Sequence, residues 1–432
     1  MNRTILFLAV HLGISAATAW AGVDVRRYGV KGDGVADDSA AIQRALDAAG
    51  TSGGTVELGV GRFRLDRAIV VPRGVTLAGV WEAPHHAEIG RGTVIEAYAD
   101  KGNEPGPPLV ELKQSSAVKG ITFFYPEQRV PDAAAYPWTI QSQDMHGSVI
   151  DCTFVNPYKA MCFGPGSNEL HYVRNCFGCP LKAGILVDTC TDIGRIENVH
   201  FNPHYWGRAN APNPPKWGDL SRYLWENLVA FEFGRSDWEY VQNTFCYGAK
   251  VGYRFVRTGS GTTNGNFLGI GADWCERAIL VEQCQEPGLL ITNGEFVGGK
   301  GSAAMMEVKA DNRGPVQLAN CSFWGPADAA AILDGAGSVS LSQCLFRNHG
   351  ERFREVHTID ARGGHLIVQA CRFVMDSRDI RLGPGLETAV ITGNWFARGQ
   401  EIDNESAGDV QIGLNVVGDR PRGRPLQSRP GD

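Results

Sequence analysis

A short motif that recurs along residues 118–396 limits most strongly how this chain can fold. Each copy consists of an apolar residue, two further residues, a usually small residue, one further residue and phenylalanine. Successive phenylalanines are mostly 22 to 31 residues apart, a period typical of stacked supersecondary units. Two copies, at 173–177 and 240–245, fit less well. The best copies end at Phe123, Phe154, Phe201, Phe296, Phe323, Phe346, Phe373 and Phe396.

A second apolar segment follows each motif, and no amphipathic helix separates the two. Examples are residues 161–163, 185–187, 229–233 and 251–255. Two or three strands per period without helices describe the coils of a single-stranded parallel β-helix, in which each coil pairs with the next at about 4.8 Å. We expect about a dozen coils. A β-sandwich is the alternative, but it would not repeat this motif in register.

The segment 25–50 predicts a capping helix at the N-terminal end. Gly29, Gly32 and Gly34 indicate tight turns, and Asp37 and Asp38 can cap a helix that begins near them. Apolar residues then recur at helical spacing as far as the glycine at position 50. A lone short helix followed by many strands is best placed over the open end of the β-helix.

This N-terminal segment also resembles the opening of the pectate-lyase superfamily domain, found in rhamnogalacturonase-like and epimerase-like proteins. The resemblance rests on YGVKGDGVADD at 28–38, AIQ at 41–43, GGTVEL at 53–58, GRF at 61–63 and GVTLAG at 74–79. It implies an all-β, right-handed parallel β-helix (a pectin-lyase-like solenoid). It does not select a reaction, because one fold can host several activities.

The composition and the residues at the chain ends predict that the protein is exported. Residues 1–21 combine Arg3, an apolar run and a small-residue cleavage site, which predicts a signal peptide. We therefore assign 22–418 to the β-helix domain and 419–432, rich in Arg, Pro and Gly, to a disordered tail. The predicted localisation is secreted or periplasmic, with no membrane span. The net charge of −6 and the lack of a basic stripe argue against nucleic acid as a partner.

The eleven cysteines do not suggest a disulfide framework, although the chain is predicted to be exported. Cys152, Cys321, Cys344 and Cys371 each stand two residues before a motif phenylalanine, on the same side of the strand. We expect them to be free core residues that stack from coil to coil. The sequence leaves two pairings open, Cys176–Cys179 and Cys275–Cys284. No Cys/His spacing is typical of zinc, so no metal site is predicted.

One unusually long turn, residues 203–227, is the candidate wall of a substrate groove. Aromatic rings cover the C–H faces of sugars at low entropic cost, so an aromatic-rich turn favours carbohydrate binding. The alternative is that these rings pack the turn on itself or form an oligomer contact. The predicted substrate-binding residues are Tyr205, Trp206, Trp217, Trp225 and, one turn further along the rod, Trp274.

Charged residues next to this turn are the candidate catalytic groups. Glu232 and Arg254 lie between apolar neighbours and are 22 residues apart, so both should point outward on adjacent coils. Asp237, Asp273 and Glu276 are the remaining acids expected near the wall. Paired carboxylates suit glycoside hydrolysis, whereas elimination would need a base beside Arg254. The alternative for Glu232 and Arg254 is a structural ion pair.

The sequence therefore predicts a carbohydrate-active enzyme that acts on a polysaccharide, with hydrolysis favoured over elimination. The alternative is a non-catalytic glycan-binding or structural surface protein. The catalytic motifs of polygalacturonases are absent, because Asp37-Asp38 lies in the capping segment and Arg195-Ile196 is followed by Glu197. No acidic cluster resembles the calcium site of pectate lyases, so no cofactor is predicted and calcium would matter only for a lyase. The oligomeric state is left open.

Overall fold

The chain folds into a right-handed parallel β-helix in the structure, a computed structural model that describes residues 22–84, 89–212 and 214–418. Each coil contributes strands to three parallel sheets, which we call A, B and C in chain order. The predicted signal peptide and tail lie outside the described residues. No helix in the described ranges is long and apolar enough to cross a membrane.

The strands of the three sheets account for most of the described chain, and five long strands contribute to two sheets. Sheet A contains Val23–Asp24, Gly54–Glu57, Val75–Ala78, Ala117–Lys119, Ser148–Phe154, Tyr172–Gly178, Arg195–Phe201, Ser236–Gln242, Thr263–Leu268, Leu289–Thr292, Val316–Ala319, Ser338–Ser342, His357–Gln369, Arg378–Thr392 and Asp409–Gly413. Sheet B contains Asp33–Asp37, Gly61–Leu65, Thr93–Ala97, Thr122–Phe124, the ends of Ser148–Phe154, Tyr172–Gly178 and Arg195–Phe201, then Phe245–Tyr247, Gly271–Cys275, Glu295–Gly298, Ser322–Gly325, Leu345–Asn348, Arg372–Phe373, Trp395–Phe396 and Val416–Val417. Sheet C contains Ile69–Val71, Val110–Leu112, Trp138–Ser142, Lys159–Phe163, Ala183–Val187, Val229–Phe233, Val251–Phe255, Arg277–Val281, Ala304–Val308, Ala329–Leu333, the starts of His357–Gln369 and Arg378–Thr392, and Ile402–Asn404.

The turn between sheets A and B explains why the motif repeats. One residue there adopts a left-handed conformation in most coils, for example Asn175 with φ 58° and Asn320 with φ 54°. Asparagine tolerates this conformation better than most residues do. Its side chain also bonds to the coil before it: the Asn175 amide donates to Asp151 at 2.8 Å and Asn198 donates to Asn175 at 2.9 Å. Each turn is thereby held in register with the previous one.

The motif phenylalanines form a stack inside the rod, as predicted. The ring of Phe346 lies 5.5 Å from that of Phe323 and 4.8 Å from that of Phe373. The two poor copies differ because Phe177 and Phe245 point outward. Their inward positions are taken by Gly178, whose register partners are Phe154 and Phe201, and by Cys246.

All eleven cysteines are free and buried, which confirms the core-cysteine prediction. Cys152 pairs in register with Cys176, and the Cys344 backbone N–H donates to the Cys371 sulfur at 3.4 Å. The two pairings that the sequence left open do not form. The sulfurs of Cys246 and Cys275 lie 3.9 Å apart and are not bonded.

Helix α1, Ser39–Gly50, buries Ile42, Ala45 and Leu46 against the first coils, the position that a capping role requires. A short 3-10 helix, Val25–Tyr28, precedes it. Asp37 accepts a hydrogen bond from the Ser39 N–H at 3.0 Å, whereas Asp38 binds the N–H groups of Lys31 and Gly32 instead.

The expectation of a single amphipathic helix is wrong, because the long turn 203–227 contains two more helices. These are α2, His204–Gly207, and α3, Trp217–Asn227. Helix α3 buries Leu220 and Leu224 against the coils. The estimate of a dozen coils is low as well, since sheet A has fifteen strands within the described residues. The prediction missed the three coils formed by the first hundred residues, which lack the phenylalanine motif.

Candidate functional site

A groove of about 370 Å³ lies where α3 crosses the turns between sheets B and C. Helix α3 forms one side of it, and the sheet B strands of the next two coils contribute Tyr247 and Trp274. The described residues that line it are Pro203, Trp217, Ser221, Arg222, Leu224, Trp225, Tyr247, Gly248 and Trp274.

Helix α3 presents three groove residues at successive turns. Trp217, Ser221 and Trp225 are four residues apart, so they share one face of the helix. Trp217 remains 40% exposed, although the His204 ring stacks on it at 4.8 Å. The Ser221 hydroxyl is buried and has no hydrogen-bond partner within the described structure. The helix thus offers two indoles and an unused hydroxyl to the groove.

Two features of the backbone fix the positions of the Trp225 and Trp274 indoles. Trp225 lies against Gly299, where a Cβ atom would be only 2.3 Å from the Trp225 ring. The same Cβ would be 3.3 Å from Trp274, so the two indoles are close to each other. Trp274 has φ 54°, a left-handed conformation that is costly for a bulky residue and is often found at functional sites.

The carboxylate of Asp273 belongs to a residue that is next to the groove lining in register. It precedes Trp274 and is the register partner of Tyr247, so it stands next to two lining residues. Burial raises the pKa of Asp273 above its ordinary value, and the carboxylate of Glu295 adds to the shift. Glu295 itself is exposed on the following strand of sheet B. Glu295 is the register partner of Gly271, two residues before Asp273, so the two carboxyl groups lie on adjacent coils and differ in burial.

Glu232 and Arg254 occupy adjacent coils and point outward, in the register that the sequence predicts. Arg254 contacts Glu232 at 3.0 Å and Glu282 at 2.7 Å, so its guanidinium lies between two carboxylates. Neither Glu232 nor Arg254 lines the groove. The arrangement matches the structural alternative, an ion-pair network along sheet C.

The structure does not bring the two other predicted acids into the groove lining. Asp237 lies in sheet A, where Arg235 contacts it at 2.9 Å and the Gln285 amide donates to it at 2.6 Å. Glu276 is half-buried two residues beyond Trp274. Neither is among the described residues that line the groove.

Tyr205 and Trp206 anchor the turn and do not present a surface to a ligand. Trp206 is 1% exposed and Tyr205 is 6% exposed. The Tyr205 hydroxyl and His200 Nδ1 lie 3.1 Å apart, and the Tyr205 ring also contacts Phe177. For these two residues, packing of the turn on the coils replaces the predicted sugar contact. Trp217, Trp225 and Trp274 keep the predicted position at a groove.

His200, which lies under the long turn beside Tyr205, gives a prediction for the stability of the fold in acid. Burial lowers the pKa of His200 to about 4, with a further contribution from His204. Because this pKa is below that of histidine in the unfolded chain, protonation of His200 favours unfolding. The contribution of neutral His200 to the free energy of unfolding is complete above about pH 6.5 and is lost as the pH falls towards 4. We expect a loss of about 2–3 kcal/mol over this window. Urea unfolding at several pH values should show it, and His200→Gln should flatten the profile. An unchanged profile in the variant would contradict the assignment.

Sequence reasoning missed four features of this site. Ser221, Tyr247, Glu295 and Gly299 become visible only when α3 and the register of sheet B are known. A usable signal exists for α3, since Leu220 and Leu224 follow helical spacing. No sequence signal places Gly299 beneath an indole from a residue 74 positions earlier.

Comparison with known proteins supports the fold and the N-terminal resemblance. Residues 22–106 match the family described as rhamnogalacturonase A/epimerase, pectate lyase-like. No curated protein matches the chain in sequence. The match covers the first coils and α1, so it confirms the predicted resemblance to the pectate-lyase-like β-helix superfamily.

Two solved structures illustrate the similarity in fold. Pre-mature gene product 12 of bacteriophage phi29 has a TM-score of 0.67 at 14% identity, over 92% of this chain and 56% of that one. The chain thus spans little more than half the length of that protein. The catalytic unit of a GH87 alpha-1,3-glucanase from Streptomyces thermodiastaticus has a TM-score of 0.51 at 10% identity, over 94% of this chain and 71% of that one. At these identities the likeness concerns the fold alone.

Proposed function

We propose that this pectate-lyase-like parallel β-helix protein is exported, binds a polysaccharide in the α3 groove and hydrolyses it there. The observation that carries the proposal is the convergence of Trp217, Trp225 and Trp274 on one groove with Asp273 beside it. Indole faces cover the C–H faces of pyranose rings, and several indoles along a groove suit a chain of sugars. The Ser221 hydroxyl is buried behind this row of rings without a partner in the described structure, so a ligand can hydrogen-bond to it only if the side chain rotates towards the groove.

Asp273 is suited to the role of general acid. Its raised pKa keeps the carboxyl group protonated to a higher pH than an ordinary aspartic acid, so it can donate a proton to the leaving glycosidic oxygen. Glu295, which is exposed on the following strand of sheet B, is the candidate for the second carboxylate. It would accept a proton from the attacking water or attack the anomeric carbon itself.

Hydrolysis is favoured over elimination because of the state of Arg254. A lyase needs a cation to neutralise a uronate and a base beside it. Arg254 already contacts two carboxylates and lies outside the groove lining. The other candidate cation for a lyase is Arg222, which lines the groove. No carboxylate among the described lining residues could act as the base beside Arg222.

A second candidate function is glycan binding without catalysis. Among the described residues that line the groove, Arg222 is the one charged side chain and none is a carboxylate. Asp273 and Glu295 would then be edge residues that take no part in chemistry. This candidate predicts saturable binding that survives removal of both acids.

A panel of plant, algal and bacterial polysaccharides separates these functions. Hydrolysis releases reducing ends without ultraviolet absorption, whereas elimination gives an unsaturated product that absorbs. Binding without either product would favour the second candidate. Absence of both turnover and binding in a folded protein would refute the proposal as a whole.

Gly299→Ala is expected to weaken glycan binding without unfolding the protein. The added methyl group would lie 2.3 Å from the Trp225 ring, so the indole must leave its position in the groove. We expect Kd to rise about tenfold, which corresponds to about 1.4 kcal/mol of lost stacking. Isothermal titration calorimetry with a bound oligosaccharide is the measurement.

Gly218→Ala is the matched control, because it also adds a single methyl group, in this case on helix α3. A Cβ atom at Gly218 meets nothing within 4 Å, so the groove should be unchanged. Equal affinities for both variants and the unmodified protein would show that Trp225 does not contact the ligand.

A further inference from the structure

A second polar cluster lies inside the rod and is unrelated to the groove. His171, Cys190 and Glu239 come from three consecutive coils and are fully buried. One ligand-type atom from each lies within 4.8 Å of the others. The separation between His171 Nε2 and Glu239 Oε1 is 3.0 Å. Nitrogen, sulfur and carboxylate oxygen are the donor atoms that zinc takes from proteins.

The backbone is arranged to let these side chains meet. Gly194 occupies the turn between His171 and Glu239 in the stack of coils. A Cβ atom at Gly194 would lie 2.0 Å from the His171 ring and 2.4 Å from the Glu239 carboxylate. The Ser236 hydroxyl donates to the second oxygen of Glu239 at 2.5 Å, which fixes the orientation of the carboxylate. Elsewhere the interior is filled mainly by apolar stacks.

The cluster is not closed by its own hydrogen bonds. Within the described structure, His171 Nδ1 and the amide oxygen of Asn168 are buried and have no partner. Asn168 is the bridge partner of Cys190, so both unsatisfied atoms belong to this part of the interior. Unsatisfied buried polar atoms are costly and usually indicate a water molecule or an ion.

We propose that His171, Cys190 and Glu239 bind one divalent cation of the zinc class and thereby stabilise the middle of the β-helix. The charges balance without solvent: a thiolate and a carboxylate neutralise a divalent ion, and the histidine ligand is neutral. Loading releases the thiol proton and the proton shared by the His171–Glu239 pair. Because the site is enclosed, the ion must enter during folding.

No spacing in the sequence indicates this site, because its ligands are separated by 19 and 49 residues and meet only through the stacking of coils. The cation site at His171, Cys190 and Glu239 is independent of the groove and of any activity there.

The test is the metal content of the full-length protein refolded with Zn²⁺ and, separately, with a chelator. We expect about one zinc per chain by mass spectrometry, and a lower unfolding temperature for the chelator-treated sample. Refolding with Co²⁺ should give the thiolate-to-cobalt absorption band. Cys190→Ser should remove the band and the bound metal. Cys179→Ser, at another fully buried thiol outside the cluster, should keep both.

Metal far below one equivalent per chain, with identical unfolding temperatures in zinc and chelator, would overturn the proposal and indicate a hydrogen-bonded cluster completed by water. Metal that survives in Cys190→Ser would also overturn it, since the ion would then bind elsewhere. The first of these results does not depend on the folding of any variant, because it is measured on the unmodified protein.

Discussion

Asp273→Asn is expected to lower turnover of a cleaved polysaccharide by about 10²–10⁴-fold while leaving its binding nearly unchanged. The substitution keeps the volume of the side chain but removes the proton that the groove edge can donate. Asp273 is half-buried beside Tyr247 and Trp274, and burial raises its pKa. In the unmodified protein, the proposed hydrolytic activity should therefore decline as the pH rises through this raised pKa, because the acid loses its proton. Steady-state kinetics across pH measures both effects.

Glu232→Gln is the informative comparison, because the sequence makes Glu232 a candidate catalytic residue, with a structural ion pair as the alternative. Glu232 contacts Arg254 outside the groove lining, so its replacement should leave turnover within a few-fold of the unmodified protein. Glu295→Gln should reduce turnover if Glu295 is the second carboxylate. Full activity in Asp273→Asn together with a large loss in Glu232→Gln would move the reaction to sheet C and contradict our assignment.

The fold could be predicted because a β-helix repeats a local pattern at a fixed distance. The small residue and the phenylalanine share inward parity, and stacking brings equivalent positions together, so the burial of Cys344 and Phe346 follows from spacing. The same reasoning placed Glu232 beside Arg254. It failed at Phe177 and Phe245, where the inward position is occupied by a neighbouring residue instead.

The candidate site was less predictable because it depends on the one segment that interrupts the repeat. An aromatic-rich turn was recognised, but not that α3 turns Trp217 and Trp225 towards the groove while Trp206 is buried. Composition is the same for a buried and an exposed indole. Only the packing of Leu220 and Leu224 fixes which face of α3 is free.

Phe346→Ala is expected to cost about 3–5 kcal/mol of stability, the largest effect we predict for a single core substitution. Phe346 is 1% exposed and lies between two other rings of the internal stack, 5.5 Å from Phe323 and 4.8 Å from Phe373. Truncation leaves a cavity that the flanking coils cannot close, since backbone pairing with both neighbours fixes their separation. Urea unfolding followed by circular dichroism is the measurement.

Phe177→Ala is the matched control, because Phe177 has the same side chain in an equivalent strand but points outward. Its ring is half-buried against Trp81 at 6.1 Å and Tyr205 at 5.9 Å, so its truncation removes less buried contact than truncation inside the stack does. We expect a loss of about 1–2 kcal/mol. Equal losses for the two variants would mean that an inward phenylalanine of the stack contributes no more to stability than the outward Phe177 does. The parity argument that underlies the fold prediction would then lose its energetic basis.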